Sequence, residues 1–105
     1  MEKPNLNYIN ELAGNDEIFK QKMISIIKTE LPQEIERYQS FFILEDFNQA
    51  AEMVHKLKHK ISVLGLEKSY YIAEQYENNL KQSSADLKDE FEKIINSMQN
   101  FVDNL

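Results

Sequence analysis

The chain has 105 residues, 42% apolar and 29% charged, with no cysteine and a formal net charge of -6. That length suits one domain spanning residues 1–105, large enough for a real core. The lack of cysteine excludes disulfides and thiolate metal sites. Twelve basic residues against eighteen acidic ones, with no basic tract, argue against nucleic acid as a partner. No run approaches the roughly 18 apolar residues of a membrane span, and the segment after Met1 lacks the apolar stretch of a signal peptide. Membrane insertion is therefore not expected, and the cytoplasm is the expected compartment. Two glycines and two prolines are few for β-rich folds, which use both at turns, so the composition points to an all-α domain.

Breakers and caps divide the chain into five helical pieces. The first runs from Asn5 to about Ala13, with Leu6, Ile9 and Leu12/Ala13 on one face and Gly14 as its stop. Asn15 is the expected N-cap of the second, with Asp16 and Glu17 in its first turn. Its apolar residues are Ile18, Phe19, Met23, Ile26/Ile27, Leu31, Ile35, Tyr38 and Phe42, and their spacing survives Pro32, which reads as a kink in one helix. The run Phe41-Phe42-Ile43-Leu44 is expected to close the end of the fold before the third helix.

The third helix starts at an Asp46 cap and runs to Gly65; the fourth spans Glu67 to about Lys81, with Ile72, Ala73, Tyr76 and Leu80 inward. After the turn Gln82-Ser83-Ser84, Ser83 and Asp86 have the spacing of a capping box. The last helix carries Leu87, Phe91, Ile94/Ile95, Met98, Phe101/Val102 and Leu105. Short loops between amphipathic helices make neighbours antiparallel. The expected architecture is an up-down-up-down four-helix bundle with the short first helix as a cap.

The third helix differs from the others. With Val54 set at 0° on a helical wheel, its stripe of Phe47, Ala50, Ala51, Val54, Leu57 and Ile61 falls within about 60° either side. Lys58 lies near about 40°, Ser62 near about 80°, His55 near about 100° and His59 near about 140°. His55 is thus at the border of the core, partly held and partly wet, with small Ala51 and Ser62 leaving its ring approachable. Ala51, Glu52, His59 and Ser62 form a candidate binding surface around it. Lys58, one turn on, is a point charge suited to a phosphoryl oxygen. An imidazole can attack phosphorus as a neutral nucleophile. The chain has no Gly-rich phosphate loop or GxxxxGK[ST], so such a site would receive and donate a phosphoryl group without kinase machinery of its own. Two other readings use the same residues. One is a helical module that binds without being phosphorylated; the other is a metal site from Glu52, His55 and His59, which lacks a fourth strong ligand.

Val54-His55-Lys56-Leu57-Lys58, then Leu64-Gly65-Leu66, then Ile72 and Tyr76-Glu77, resemble the signature of histidine-containing phosphotransfer (HPt) domains. Leu12-Ala13-Gly14-Asn15 and Asp46-Phe47 extend the resemblance over nearly the whole chain. The resemblance implies that His55 is the phosphoacceptor and Lys58 the phosphate-stabilising cation. It implies a non-enzymatic carrier with no cofactor or metal of its own. The implied partners are response-regulator receiver domains, whose aspartate and Mg²⁺ do the chemistry, and a hybrid sensor histidine kinase. Three positions depart from the pattern: His59 replaces Gly, Val54 replaces Ala, and Ser69 sits where an apolar residue is usual. His59 is where transfer rate and choice of receiver are expected to differ.

Overall fold

The computed structural model describes residues 2–105 and contains five helices, with no strand among the described residues. They are α1 (Asn7–Ala13), α2 (Glu17–Ile43), α3 (Phe47–Val63), α4 (Glu67–Lys81) and α5 (Lys88–Asp103). Contacts close in a ring, α2 against α3, α3 against α4, α4 against α5 and α5 against α2, while α1 packs on α2. This is the expected four-helix bundle with a short N-terminal helix as its cap, 45 × 23 × 19 Å in extent. None of the described helices is long and apolar enough to cross a membrane.

The α2 seam is narrower than its apolar content suggested. Ile24, Ile27, Leu31 and Tyr38 are buried and lie within one sector of the helix. Ile18, Phe19 and Ile26, counted in its apolar spacing, point about 100° or more from the centre of that sector and are exposed. The helix continues through Pro32 as one element. Its N-cap is Asp16 rather than Asn15, because the Asp16 carboxylate accepts the Phe19 N–H at 2.9 Å. The Phe41–Leu44 run does not simply close the bundle end: Phe41 and Phe42 pack against the core, whereas Ile43 and Leu44 are exposed.

At the centre of the bundle Tyr38, Tyr76 and Phe91 meet at ring-centroid distances of 5.0–6.2 Å. The Tyr38 and Tyr76 hydroxyls are 2.6 Å apart, and Tyr38 Oη donates to Glu92 Oε2 at 3.1 Å. A carboxylate only accepts, so Tyr76 donates to Tyr38, which donates to Glu92. Burial pushes the Tyr76 hydroxyl up to about 12, and burial and its two partners push Tyr38 higher still, so the chain of donors persists at all ordinary pH. It ties α2, α4 and α5 together and leaves neither tyrosine hydroxyl unpaired.

The expected Ser83/Asp86 capping box does not form. Helix α5 starts later, at Lys88, after Leu87 in a left-handed conformation (φ 75°), with no side-chain cap. The Ser84 hydroxyl instead accepts the Asp86 N–H at 3.2 Å. Leu87 packs against the core, and that burial offsets its backbone strain. Asp89 and Glu90 in the first turn still favour the helix dipole.

The turn between α3 and α4 is clamped from outside. The Asn5 N–H donates to the Leu64 carbonyl at 2.9 Å. Helix α4 has no cap of its own, and Glu2 supplies one from a distance. Its carboxylate accepts the Lys68 and Ser69 N–H groups, both at 2.8 Å, and the Ser69 hydroxyl at 3.0 Å. Ser69 is buried, so a hydroxyl here completes the cap where an apolar side chain would leave Glu2 a partner short. Gly65 sits at φ 79°, and a Cβ there would lie 2.6 Å from the Asn5 side chain.

Gly65→Ala should therefore lose about 1–3 kcal/mol in urea unfolding, from backbone strain plus the clash with Asn5. In an Asn5→Ala background the same change should cost measurably less, because only the strain remains. Equal costs in both backgrounds would show that Asn5 simply swings away.

Candidate functional site

Helix α3 begins at Asp46, whose carboxylate accepts the Gln49 N–H at 3.3 Å, and buries Ala50, Ala51, Met53, Val54, Leu57 and Ile61. Met53 is an addition to the expected stripe. This register brings His55 to the seam with α4, where the α4 stripe of Ala73, Tyr76 and Leu80 also carries Glu77. Glu77 is only 5% exposed. His55 Nδ1 lies 3.2 and 3.3 Å from its two carboxylate oxygens. Lys58 Nζ is 3.1 Å from Oε1, and Lys81 Nζ is 3.1 Å from Oε2.

Three donors from two helices thus converge on one buried carboxylate. Burial alone would raise the Glu77 carboxyl, but hydrogen bonds from Lys58, Lys81 and His55 outweigh it and hold it below the usual carboxylate range. An ionised carboxylate has only lone pairs to offer. The proton between the two groups is therefore on His55 Nδ1, and in the neutral ring Nε2 carries the free lone pair. The His55 side chain is 50% exposed. With Nδ1 against a buried group, the open half of the ring is the half that bears Nε2.

Lys58 is a fixed cation rather than a mobile one. Its side chain is buried, with the ammonium between Glu77 and the Tyr70 ring, 5.4 Å from the ring centroid. Lys81 is exposed and can move. Lys58 and Lys81 bring two ammonium groups to this seam, against the carboxylates of Glu77 and, at the surface, Glu52.

Of the surface candidates, Glu52, His59 and Ser62 are exposed beside His55, whereas Ala51 is fully buried and offers no surface to a partner. The His59 ring meets the His55 ring edge to face at 5.2 Å. Glu52, His55 and His59 do not gather around a common point: among the described residues no group of three His, Asp or Glu could hold a metal ion. Glu77 and Lys81 are the residues that spacing on α3 could not reveal. The available signal was on α4, where a glutamate falls inside an apolar stripe and so requires buried partners.

The ring-closed bundle thus presents a half-exposed imidazole against a buried carboxylate that also holds two lysines. The family model described as Hpt domain matches residues 22–104, and the chain belongs to that family. Hpt domains are phosphotransfer carriers of phosphorelays, working with receiver domains and histidine kinases and having no kinase site of their own. No curated protein and no solved structure matches the chain at a significant level.

Because the folded Glu77 pKa is depressed below its unfolded value of about 4.5, Glu77 adds stability above that pH and loses it as pH falls through the folded pKa. The stability gap between wild type and Glu77→Gln should be widest near pH 6–7 and shrink toward pH 3, where the protonated acid resembles the amide. Urea midpoints across that range check it; a gap independent of pH would mean that the ionic form contributes nothing.

Proposed function

We propose that residues 1–105, acting as one domain, accept a phosphoryl group on His55 Nε2 from the phosphoaspartate of one receiver domain and pass it to the aspartate of another. The observation that carries this reading is the Nδ1 contact to Glu77 at 3.2 Å, which makes Nε2 the nitrogen with the free lone pair when the ring is neutral. In the forward step the Nε2 lone pair attacks phosphorus. The P–O bond to the aspartate breaks, and the carboxylate leaves with its electron pair. The ring, still carrying its Nδ1 proton, gains positive charge as the N–P bond forms. Glu77 neutralises that charge in place, the role an orienting carboxylate plays for other catalytic imidazoles. In the return step the receiver's carboxylate attacks, and the lone pair goes back to Nε2.

Lys58 and Lys81 balance the transferred oxygens. Lys58 is held by Glu77 and Tyr70 and gives a fixed field, while Lys81 can leave Glu77 and follow the charge. With no phosphate loop in the sequence, both phosphoryl donor and acceptor chemistry belong to the partners.

His55→Gln should take no acid-labile phosphate from a phosphorylated receiver while keeping its far-UV circular dichroism, since the site is half exposed and Gln is a good helix former. Unchanged labelling would contradict the assignment of His55. Retained receiver binding with no labelling of wild type would instead favour a module that only binds. Lys58→Ala should slow transfer by roughly tenfold or more without abolishing it, because the cation stabilises charge but does not bond phosphorus. A rate equal to wild type would confine Lys58 to packing.

A further inference from the structure

His59 lies one turn beyond His55 on α3, exposed, with its ring edge to face on the His55 ring at 5.2 Å and an interplanar angle of 89°. The other side of His55 is closed by Glu77 and the buried Lys58. His59 therefore stands beside an open approach to Nε2. It also forms the near wall of an open groove of about 750 Å³, lined further on by Asn5, Tyr8, Ser62, Tyr70 and Tyr71. Transfer to Nε2 requires the donor's phosphorus within about 3–3.5 Å of the nitrogen. A docked protein covers roughly 800 Å² of each partner, so a receiver reaching Nε2 must also cover a residue one turn, about 5.4 Å, away.

Resting on the reading of His55 as acceptor, we propose that His59 is a specificity-determining residue that selects among receiver domains by the shape of its ring and leaves the chemical step at His55 alone. His59 touches His55 through its ring edge and makes no hydrogen bond to Glu77, Lys58 or Lys81, the groups that set the tautomer and the local charge. Removing it leaves the nucleophile as it was. What changes is the room above the ring. A receiver that fits presents a recess or a small side chain opposite His59, and one with a bulky residue there is held off Nε2. Exclusion by a group of this size is worth roughly ten- to hundred-fold in rate.

The test compares wild type, His59→Gly and His59→Ala with two kinds of donor: phosphoramidate, which is too small to dock, and a panel of phosphorylated receiver domains. The Ala variant guards against loss of helix in the Gly variant. The expected result has two parts. Phosphoramidate labels His55 in all three proteins at rates within about twofold, and the receivers slowest toward wild type gain about tenfold or more in both variants. An unchanged ranking and spread of receivers would overturn the proposal. So would slower transfer from every receiver, or a change in phosphoramidate labelling that matches the change with receivers, because either would make His59 part of the chemistry. Wild type that takes no label from phosphoramidate or from any receiver would overturn the functional reading, and this inference with it.

Discussion

The structure turns on one buried carboxylate. Placing Glu77 in the seam between α3 and α4 removes it from water, a cost of several kcal/mol for an unpaired ion. The cost is offset because three donors reach it, two of them lysines and one an imidazole N–H. The same contacts that make the charge tolerable also give His55 its orientation and tautomer. Stability and chemical readiness are therefore coupled: losing one donor weakens the seam, and losing the carboxylate frees the ring and strands Lys58 beside Tyr70.

The rest of the fold sets the register of that seam. Helix α4 reaches the site in a fixed rotation because Tyr76, the residue before Glu77, is locked into the Tyr38–Glu92 chain about 100° around the helix. Its N-terminal end is capped by Glu2 and joined to α3 through a Gly65 turn that Asn5 covers. Lys60 pins the outer face of α3 to α2 through Glu30 and Glu34, each at 2.9 Å. His55 is left half exposed, held by Glu77 through Nδ1. A carrier needs that asymmetry, because the nucleophile must be rigid toward the protein and open toward a partner.

Much of this was legible in the sequence. The α3 stripe from Phe47 to Ile61, the Asp46 cap, the Gly65 stop and the whole of α4 followed from periodicity and breaker residues, and so did His55 at the border of the core. What escaped was non-local. A wheel drawn for α3 places Lys58 near the core edge but cannot show that a carboxylate from α4 pulls it under Tyr70. Apolar spacing on α2 includes Ile18, Phe19 and Ile26, which stay exposed because α1 is too short to cover that much of a 27-residue helix. Ser83 and Asp86 had the spacing of a cap, but burying Leu87 moved the start of α5 beyond them. In each case packing against another element overrode a sound local signal.

The central claim is that Glu77 holds the proton on His55 Nδ1 and leaves the lone pair on Nε2. Two-bond ¹H–¹⁵N correlation spectra of the neutral His55 ring read this directly. The account predicts a single Nδ1–H tautomer in the wild-type protein, giving way to a mixture in Glu77→Ala. A wild-type ring protonated on Nε2, or a tautomer unchanged by removing the carboxylate, would contradict it.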